Sequence, residues 1–386
     1  MKTAHIFYFL CALFVTTHTI AGGDINNEFA ITAYDSSIDG TDDMVDGNES
    51  WYSIANTVPE LPSGVTIEAA PRKLRLNWTP SASSDINKYI IYRGITTDPT
   101  EVLTEVIDPT AVFFVDTDLT QGSNYFYRIK SVSTAGVESD FSQNYSVVIP
   151  DSWIVSLTPG PLDLFGSIQN PYNTIQAAID QSINEDAVVV YPGLYVENVS
   201  ITEKVVSLTT PDPTLSAETT IIDGGANGFP VLTINGGNIL THPEVDLILS
   251  GFTLRNGLSP TSEVPGGLHV HLWRPGITIK ISNLIIEDNI ATAGNSAAGS
   301  YFYYTPLIEM SDVIYRNNIS ASHSTFGAFN APFSMDRCEF FNNSSPYRTL
   351  DFWQNEPRGF STISNSLINN NIGGGGLYGM NAILLN

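Results

Sequence analysis

The stretch that decides the fold is Ser282-Asn-Leu284-Ile-Ile286-Glu-Asp288-Asn289, because it recurs. Laid on itself, the same eight-residue pattern returns as Ser250 to Gly257, Ser311 to Asn318, Asp336 to Asn343 and Ser364 to Asn371. Successive starts are 32, 29, 25 and 28 residues apart. The third and fifth positions are mostly apolar, which marks a strand with one buried face. One short strand cannot bury that face alone, so successive copies must stack. Stacked parallel strands lie about 4.8 Å apart, so equivalent side chains touch from coil to coil. The pattern predicts one internal column of Phe252, Leu284, Val313, Cys338 and Ser366, and a second of Leu254, Ile286, Tyr315, Phe340 and Ile368. The seventh position is Asn or Asp throughout. It suits a turn whose amides bond the backbone and one another in a structural ladder.

A second strand precedes each copy. Aligning at equal distance before Pro275, Pro306, Pro332 and Pro357 puts Leu268, Val270, Leu272, Leu350 and Phe352 inward. The outward side then reads His271, Phe302, Ala328 and Trp353, followed by Trp273, Tyr304, Asn330 and Asn355. Outward aromatics on a flat sheet are what sugar rings stack on, and Asp351 and Arg274 are near enough to bond hydroxyls. The candidate substrate-binding residues are therefore His271, Trp273, Arg274, Phe302, Tyr304, Asp351 and Trp353. A loop such as 257–267 or 291–299 could instead fold over them and make a satellite core. His269 and His271 share a face but lack a third ligand, so they read as solvent-facing strand residues and no metal site is assigned. At the sixth position, Arg255, Glu287 and Arg316 read as a surface charge ladder.

Upstream, Tyr172 to Ile183 carries apolar residues at helical spacing, with Asn173 or Thr174 as N-cap, and predicts a helix capping the first coil. The segments Asn173 to Ile179, Val188 to Asn198, Ile221 to Gly225 and Leu249 to Gly257 resemble the right-handed parallel β-helix of the pectate-lyase-like superfamily. The resemblance covers roughly 215 residues of the region 151–386. It implies fold only, since that fold hosts lyases, hydrolases, esterases and adhesins. Enzymes of that kind need cations for a uronate, a base and often calcium. Eight Lys and Arg in residues 151–386 are a thin supply, and no pair of neighbouring Asp recurs at equivalent rungs. The chain stops at Ala382 to Asn386 inside another copy, so a truncated solenoid or an absent C-terminal domain is expected.

Before the solenoid, Leu74–Trp78, Tyr89–Arg93, Val112–Val115 and Tyr125–Val132 are short apolar or alternating segments at the spacing of a β-sandwich. Trp78 falls where it would plug the core. Leu119 to Tyr125 fits a tyrosine corner. With Gly136 and Ser139 these residues resemble the fibronectin type III family over residues 61–150, which implies a spacer or binding module without catalytic residues.

Residues 22–60 hold nine acids between Asp24 and Glu60 and no Lys or Arg, and read as a flexible linker. An EF-hand at Asp42 fails, because Met44 stands where an acid is required. Residues 1–21 read as a signal peptide. Lys2 precedes the ten apolar residues Ile6–Val15, and Thr19-Ile-Ala21 offers small residues for cleavage. Ten apolar residues are too few to span a bilayer, which takes about 20, so no transmembrane segment is expected after signal removal.

Over all 386 residues, 40 acids against 16 Lys and Arg give a formal charge of −24. Nucleic-acid binding needs clustered cations and is excluded. Two cysteines, of which Cys11 lies in the leader, exclude a disulfide framework. The expectation is an all-β, secreted or cell-surface protein that binds polysaccharide or cell-surface glycan, without catalysis or cofactor. The alternative is a lyase or hydrolase acting on acidic polysaccharide from a sheet exterior, with calcium if a lyase. A plain structural spacer is the third possibility.

Overall fold

The computed structural model describes residues 57–158, 160, 165–214, 217–237, 246–272, 276–354, 360–374, 376–379 and 382–385. The expected leader, the acidic linker up to residue 56, and the candidates Trp273 and Arg274 lie outside these residues.

The sandwich has two sheets. Strands Ser63–Ala70, Lys73–Thr79 and Phe113–Asp116 form one sheet; Val102–Val106, Ile86–Gly94, Asn124–Ser133 and Tyr145–Val148 form the other. Alternation drives Leu74, Leu76, Ile91, Tyr127 and Ile129 fully inside. Trp78 is buried with its ring 5.6 Å from Tyr89, edge to face. The Tyr89 hydroxyl donates to the Pro109 carbonyl at 3.1 Å, which satisfies the phenol of a buried ring. Leu119 is buried, Gly122 takes φ 74°, and Tyr125 is half-buried beside the Arg93 guanidinium.

The second unit is a parallel β-solenoid of about six turns. Each full coil contributes a strand to three parallel sheets. In the coil built on Leu284 these are Leu268–Leu272, Thr278–Glu287 and Ile290–Ala291. The helix Ile175–Gln181 packs against the strands Ser152–Val155, Ala187–Val190 and Val199–Thr202. Thr174 caps it: its Oγ1 accepts from the Ala177 amide at 3.3 Å, and Ile175, Ala178 and Ile179 face the core. The Glu197 carboxylate accepts from the first two helical amides, Ile175 and Gln176, at 2.8 and 3.0 Å.

Register stacks the repeat as expected. Tyr195 pairs with Ile222, then Leu254, Ile286, Tyr315, Phe340 and Ile368 follow rung by rung. Leu284 lies on Val313 in the neighbouring column, and Phe252 and Cys338 are fully buried. Burial pushes the Cys338 thiol up to about 11, so it is an unreactive core group.

The Asn ladder needs a correction of one residue. The seventh-position residues Asn256, Asp288, Asn317, Asn342 and Asn370 all take φ between 51° and 56°, turning the chain with their side chains outside the column. The eighth position makes the ladder. Asn289 Nδ2 donates to Asn318 Oδ1 at 3.1 Å, Asn318 to Asn343 at 2.9 Å, and Asn343 to Asn371 at 2.9 Å. The left-handed turn at position seven directs the next side chain back inside, where its amide meets its counterparts.

Candidate functional site

The outer face of the seven-stranded sheet carries the candidate site. Along the solenoid its strands are Val199–Thr202, Leu232–Gly237, Leu268–Leu272, Ser300–Tyr303, Ser324–Phe329, Arg348–Trp353 and Leu377–Gly379. Alternation sends Leu268, Val270, Phe302, Phe326, Leu350 and Phe352 inside, all nearly or fully buried. Two columns face out. One reads Thr233, His269, Tyr301, Gly327, Asp351 and Tyr378; the other reads Asn235, His271, Tyr303, Phe329 and Trp353.

The first column is largely closed. Tyr301 is buried although it faces outward. A Cβ added to Gly327 would meet Tyr301 Cδ2 at 2.4 Å and Ala297 Cβ at 3.5 Å, so the missing side chain makes room for the ring. Burial, helped by the negative charge of Glu263, keeps the Tyr301 phenol from ionising. Burial likewise lowers His269 to about 4, with the charge of His271 adding to it. His271 is lowered by burial too. Both imidazoles are therefore neutral at pH 7.

The second column is half-open through its middle rungs and exposed at Trp353. Tyr303 stacks on Phe329 with centroids 5.3 Å apart and planes 17° from parallel. His271 meets Tyr303 edge-on at 5.1 Å, and Phe329 meets Trp353 at 5.6 Å. Tyr303 and Phe329 are half-buried, and Trp353 is 48% exposed. Beside this strip, Asp351 accepts from His323 Nε2 and Arg348 Nη1, each at 3.0 Å. Burial opposes ionisation of Asp351. Bonding to His323 and the charges of His323 and Arg348 outweigh it and hold the carboxyl below the usual range. The Arg348 guanidinium in turn lies 3.6 Å from the centre of the Tyr378 ring.

The expected residues thus divide. His271 faces outward on this sheet three rungs from Asp351 and Trp353, which share one strand, and Tyr304 packs its ring on Tyr303 and Phe329 at the strip's edge, at 4.6 and 5.6 Å. Phe302 does not belong: it is fully buried inside, as is Ala328, and Asn330 is buried as well. The error comes from the prolines. His271 and Trp353 lie four residues before theirs, whereas Tyr303 and Phe329 lie three before Pro306 and Pro332. Equal spacing therefore slips the two middle coils by one residue, and a one-residue slip exchanges the faces. That slip concealed Tyr301, Tyr303 and Phe329. His323 and Arg348 escaped because they sit near Asp351 through folding and not through a repeat position. His269 and His271, expected in solvent, are half-buried. Among the described residues no three His, Cys, Asp or Glu side chains converge as metal ligands.

A second concave region lies on the outer face of the largest sheet. A shallow cavity of about 380 Å³ is lined by Lys280, Ser282, Glu309, Ser311, Ser334 and Asp336, among others. Lys280 pairs with Asp246 at 2.5 Å. Hydrogen bonds from Asn365 and Ser364 keep Asp336 below the usual carboxylate range.

Residues 60–148 match the family model for the fibronectin type III domain. A stretch of 127 residues is 32% identical to amylopullulanase of Thermoanaerobacterium saccharolyticum, which is 32% of this chain and 10% of that protein. The chain thus spans about a tenth of that relative's length. Among solved structures, a Fn3-like protein from Clostridium thermocellum is 23% identical over 24% of this chain and 96% of its own, with a TM-score of 0.21. The spore cortex lytic enzyme SleM of Clostridium perfringens is 18% identical over 23% of this chain and 28% of its own, with a TM-score of 0.21. Residues 60–148 are a fibronectin type III domain, and a parallel β-solenoid follows it in the chain.

Proposed function

We propose that the protein is an exported glycan-binding protein whose solenoid holds sugar chains along the strip His271–Tyr303–Phe329–Trp353. A fibronectin type III domain joined to a β-solenoid fits a carbohydrate-associated extracellular protein, and no described helix is long and apolar enough to cross a membrane. The observation that carries the reading is the column of rings itself. Three consecutive coils present an aromatic side chain at one outward register, two of them half-buried and Trp353 48% exposed. Each ring offers an apolar face to a pyranose, and Asp351 offers acceptor oxygens to its hydroxyls. A polymer running along the solenoid would repeat this contact from rung to rung, so weak stacking contacts add without a deep pocket. Asp351, held below the usual carboxylate range by His323 and Arg348, suits acceptance better than proton donation. A glycan array followed by calorimetric titration tests this. Binding that Phe329→Ala and Trp353→Ala each reduce about tenfold or more supports the strip; binding unchanged by both variants refutes it.

One observation favours a second reading, an enzyme. Lys280 lies in register with Glu309, and both line the cavity together with Asp336; a cation with two carboxylates is the minimum for acid–base chemistry on a sugar. Incubation with uronate polysaccharides and calcium, watched for unsaturated product, tests it. Product formation abolished by Glu309→Gln would establish that reading in place of pure binding.

A further inference from the structure

The strip's charge selects among sugars that its shape would admit equally. Four cationic or potentially cationic side chains stand on or beside this face among the described residues: His269, His271, His323 and Arg348. The two imidazoles of the first pair are neutral at pH 7 because burial lowers them. His323 and Arg348 are both committed to Asp351, at 3.0 Å each, and the Arg348 guanidinium also lies over the Tyr378 ring. The Asp351 side chain is 13% exposed, so its charge is felt at the surface and is only partly screened by water. Exposed Glu263 adds a second negative charge, close enough to oppose ionisation of both Tyr301 and Tyr303. Around the strip lies a solenoid with 21 Asp and Glu against eight Lys and Arg over residues 151–386.

From this arrangement we infer that the strip takes uncharged sugar chains and turns away uronate chains. The inference rests on the binding strip proposed above and names its substrate class. A neutral pyranose brings hydroxyls that donate to the Asp351 oxygens, leaving its two ion pairs intact. A uronate brings a carboxylate to a place where, among the described residues, Arg348 and His323 are already paired with Asp351. It must either pull Arg348 from Asp351, exposing one carboxylate to the other, or lie unpaired against the rings, where losing water is costly. The field of the surrounding acids also slows its approach.

Calorimetric titration of the full chain with size-matched neutral hexasaccharides (cello-, xylo- and malto-series) and with hexagalacturonate decides the matter. The expected result is a preference of about tenfold or more for at least one neutral series. Asp351→Asn frees Arg348 and His323 and should raise hexagalacturonate affinity, narrowing the preference to within about threefold. Glu263→Gln, on the surface and away from the core, should shift the preference in the same direction by less, and it guards against a folding defect in the first variant. Hexagalacturonate binding to the unaltered chain as tightly as every neutral series, and losing affinity in Trp353→Ala, would overturn the charge inference while leaving the strip in place. Binding of neither class would remove the strip and the inference together.

Discussion

The solenoid runs two aromatic-bearing columns at the same coil-to-coil spacing, one inside and one outside. Inside, Tyr195, Ile222, Leu254, Ile286, Tyr315 and Phe340 are each at most 2% exposed. Outside, Tyr303 and Phe329 are half-covered and Trp353 is 48% exposed. Tyr315 and Phe340 stack at 4.5 Å and 6°, close to the 5.3 Å and 17° of Tyr303 and Phe329. The pair contacts are alike, and only the surroundings differ. Stacking geometry alone is therefore no sign of a core, and the same repeat can build stability on one face and a binding strip on the other.

The sharpest way to break that comparison is to delete one ring from each column. Phe340→Ala opens a cavity that Tyr315 and Phe326 cannot fill, and should cost about 3–5 kcal/mol. Trp353→Ala removes a half-exposed ring and should cost under about 1 kcal/mol. Chemical denaturation of both variants measures the difference. Equal losses would mean that the outer column is a satellite core and not an open strip.

Next in size is the ladder. Asn318 accepts from Asn289 and donates to Asn343 and to the Ile286 carbonyl, with no exposure. Asn318→Ala leaves buried partners unsatisfied and should cost about 2–3 kcal/mol. Its neighbour Asn317 is exposed at φ 55°, a conformation glycine adopts freely, so Asn317→Gly should lie within about 0.5 kcal/mol of the parent. Thermal unfolding of the pair locates the ladder. If Asn317→Gly were the costlier change, the assignment of turn and ladder positions would be reversed.

These contrasts also show how far the sequence could be read. Inner columns were legible because apolarity at alternate positions is enough to place a side chain inside, and Leu284 on Val313 follows from counting alone. The ladder was legible in kind but shifted by one residue, since the eye finds Asn at positions seven and eight alike and only the backbone tells them apart. The outer strip was half legible. His271 and Trp353 share the same distance to a proline, but Tyr303 and Phe329 stand one residue nearer to theirs, in coils whose connections to the next strand are only three residues long. Nothing in a repeat pattern brings His323 and Arg348 to Asp351. An outward face needs the register of every coil, whereas an inward face tolerates a local error because the core accepts any apolar residue that fits.

A smaller effect should appear in acid. Folding depresses the Asp351 pKa, so the unfolded chain binds a proton that the folded chain refuses. The stabilisation is present above the unfolded value, near 3.9 for an ordinary Asp, and is lost as pH falls through the folded value. Asp351→Asn removes this contribution, and its stability should fall less steeply than the parent's below about pH 4. Parallel unfolding at pH 7, 4 and 3 checks the slope. Identical slopes would show that His323 and Arg348 do not hold the carboxylate, which would weaken the charge selection drawn from them.

The least effect belongs to the charges at the sixth repeat position, where the outer surface resembles a ladder without being one. Arg255 reaches back to Asp223 at 2.9 Å, and Arg316 reaches back to Glu287 at 2.6 Å. Arg255 and Glu287 are adjacent in register, yet Asp223 already serves Arg255 and also accepts from Asn256 at 2.8 Å. The column is thus two separate pairs. Both arginine side chains are about a third exposed (30% and 31%), so water screens each pair. A double-mutant cycle on Glu287 and Arg316 should give a coupling of up to about 1 kcal/mol that shrinks in high salt. The cycle on Arg255 and Glu287 should give about zero. Comparable coupling in both cycles would mean that charge runs continuously from coil to coil, as the rings do, and the outer face would then need to be treated as one cooperative surface.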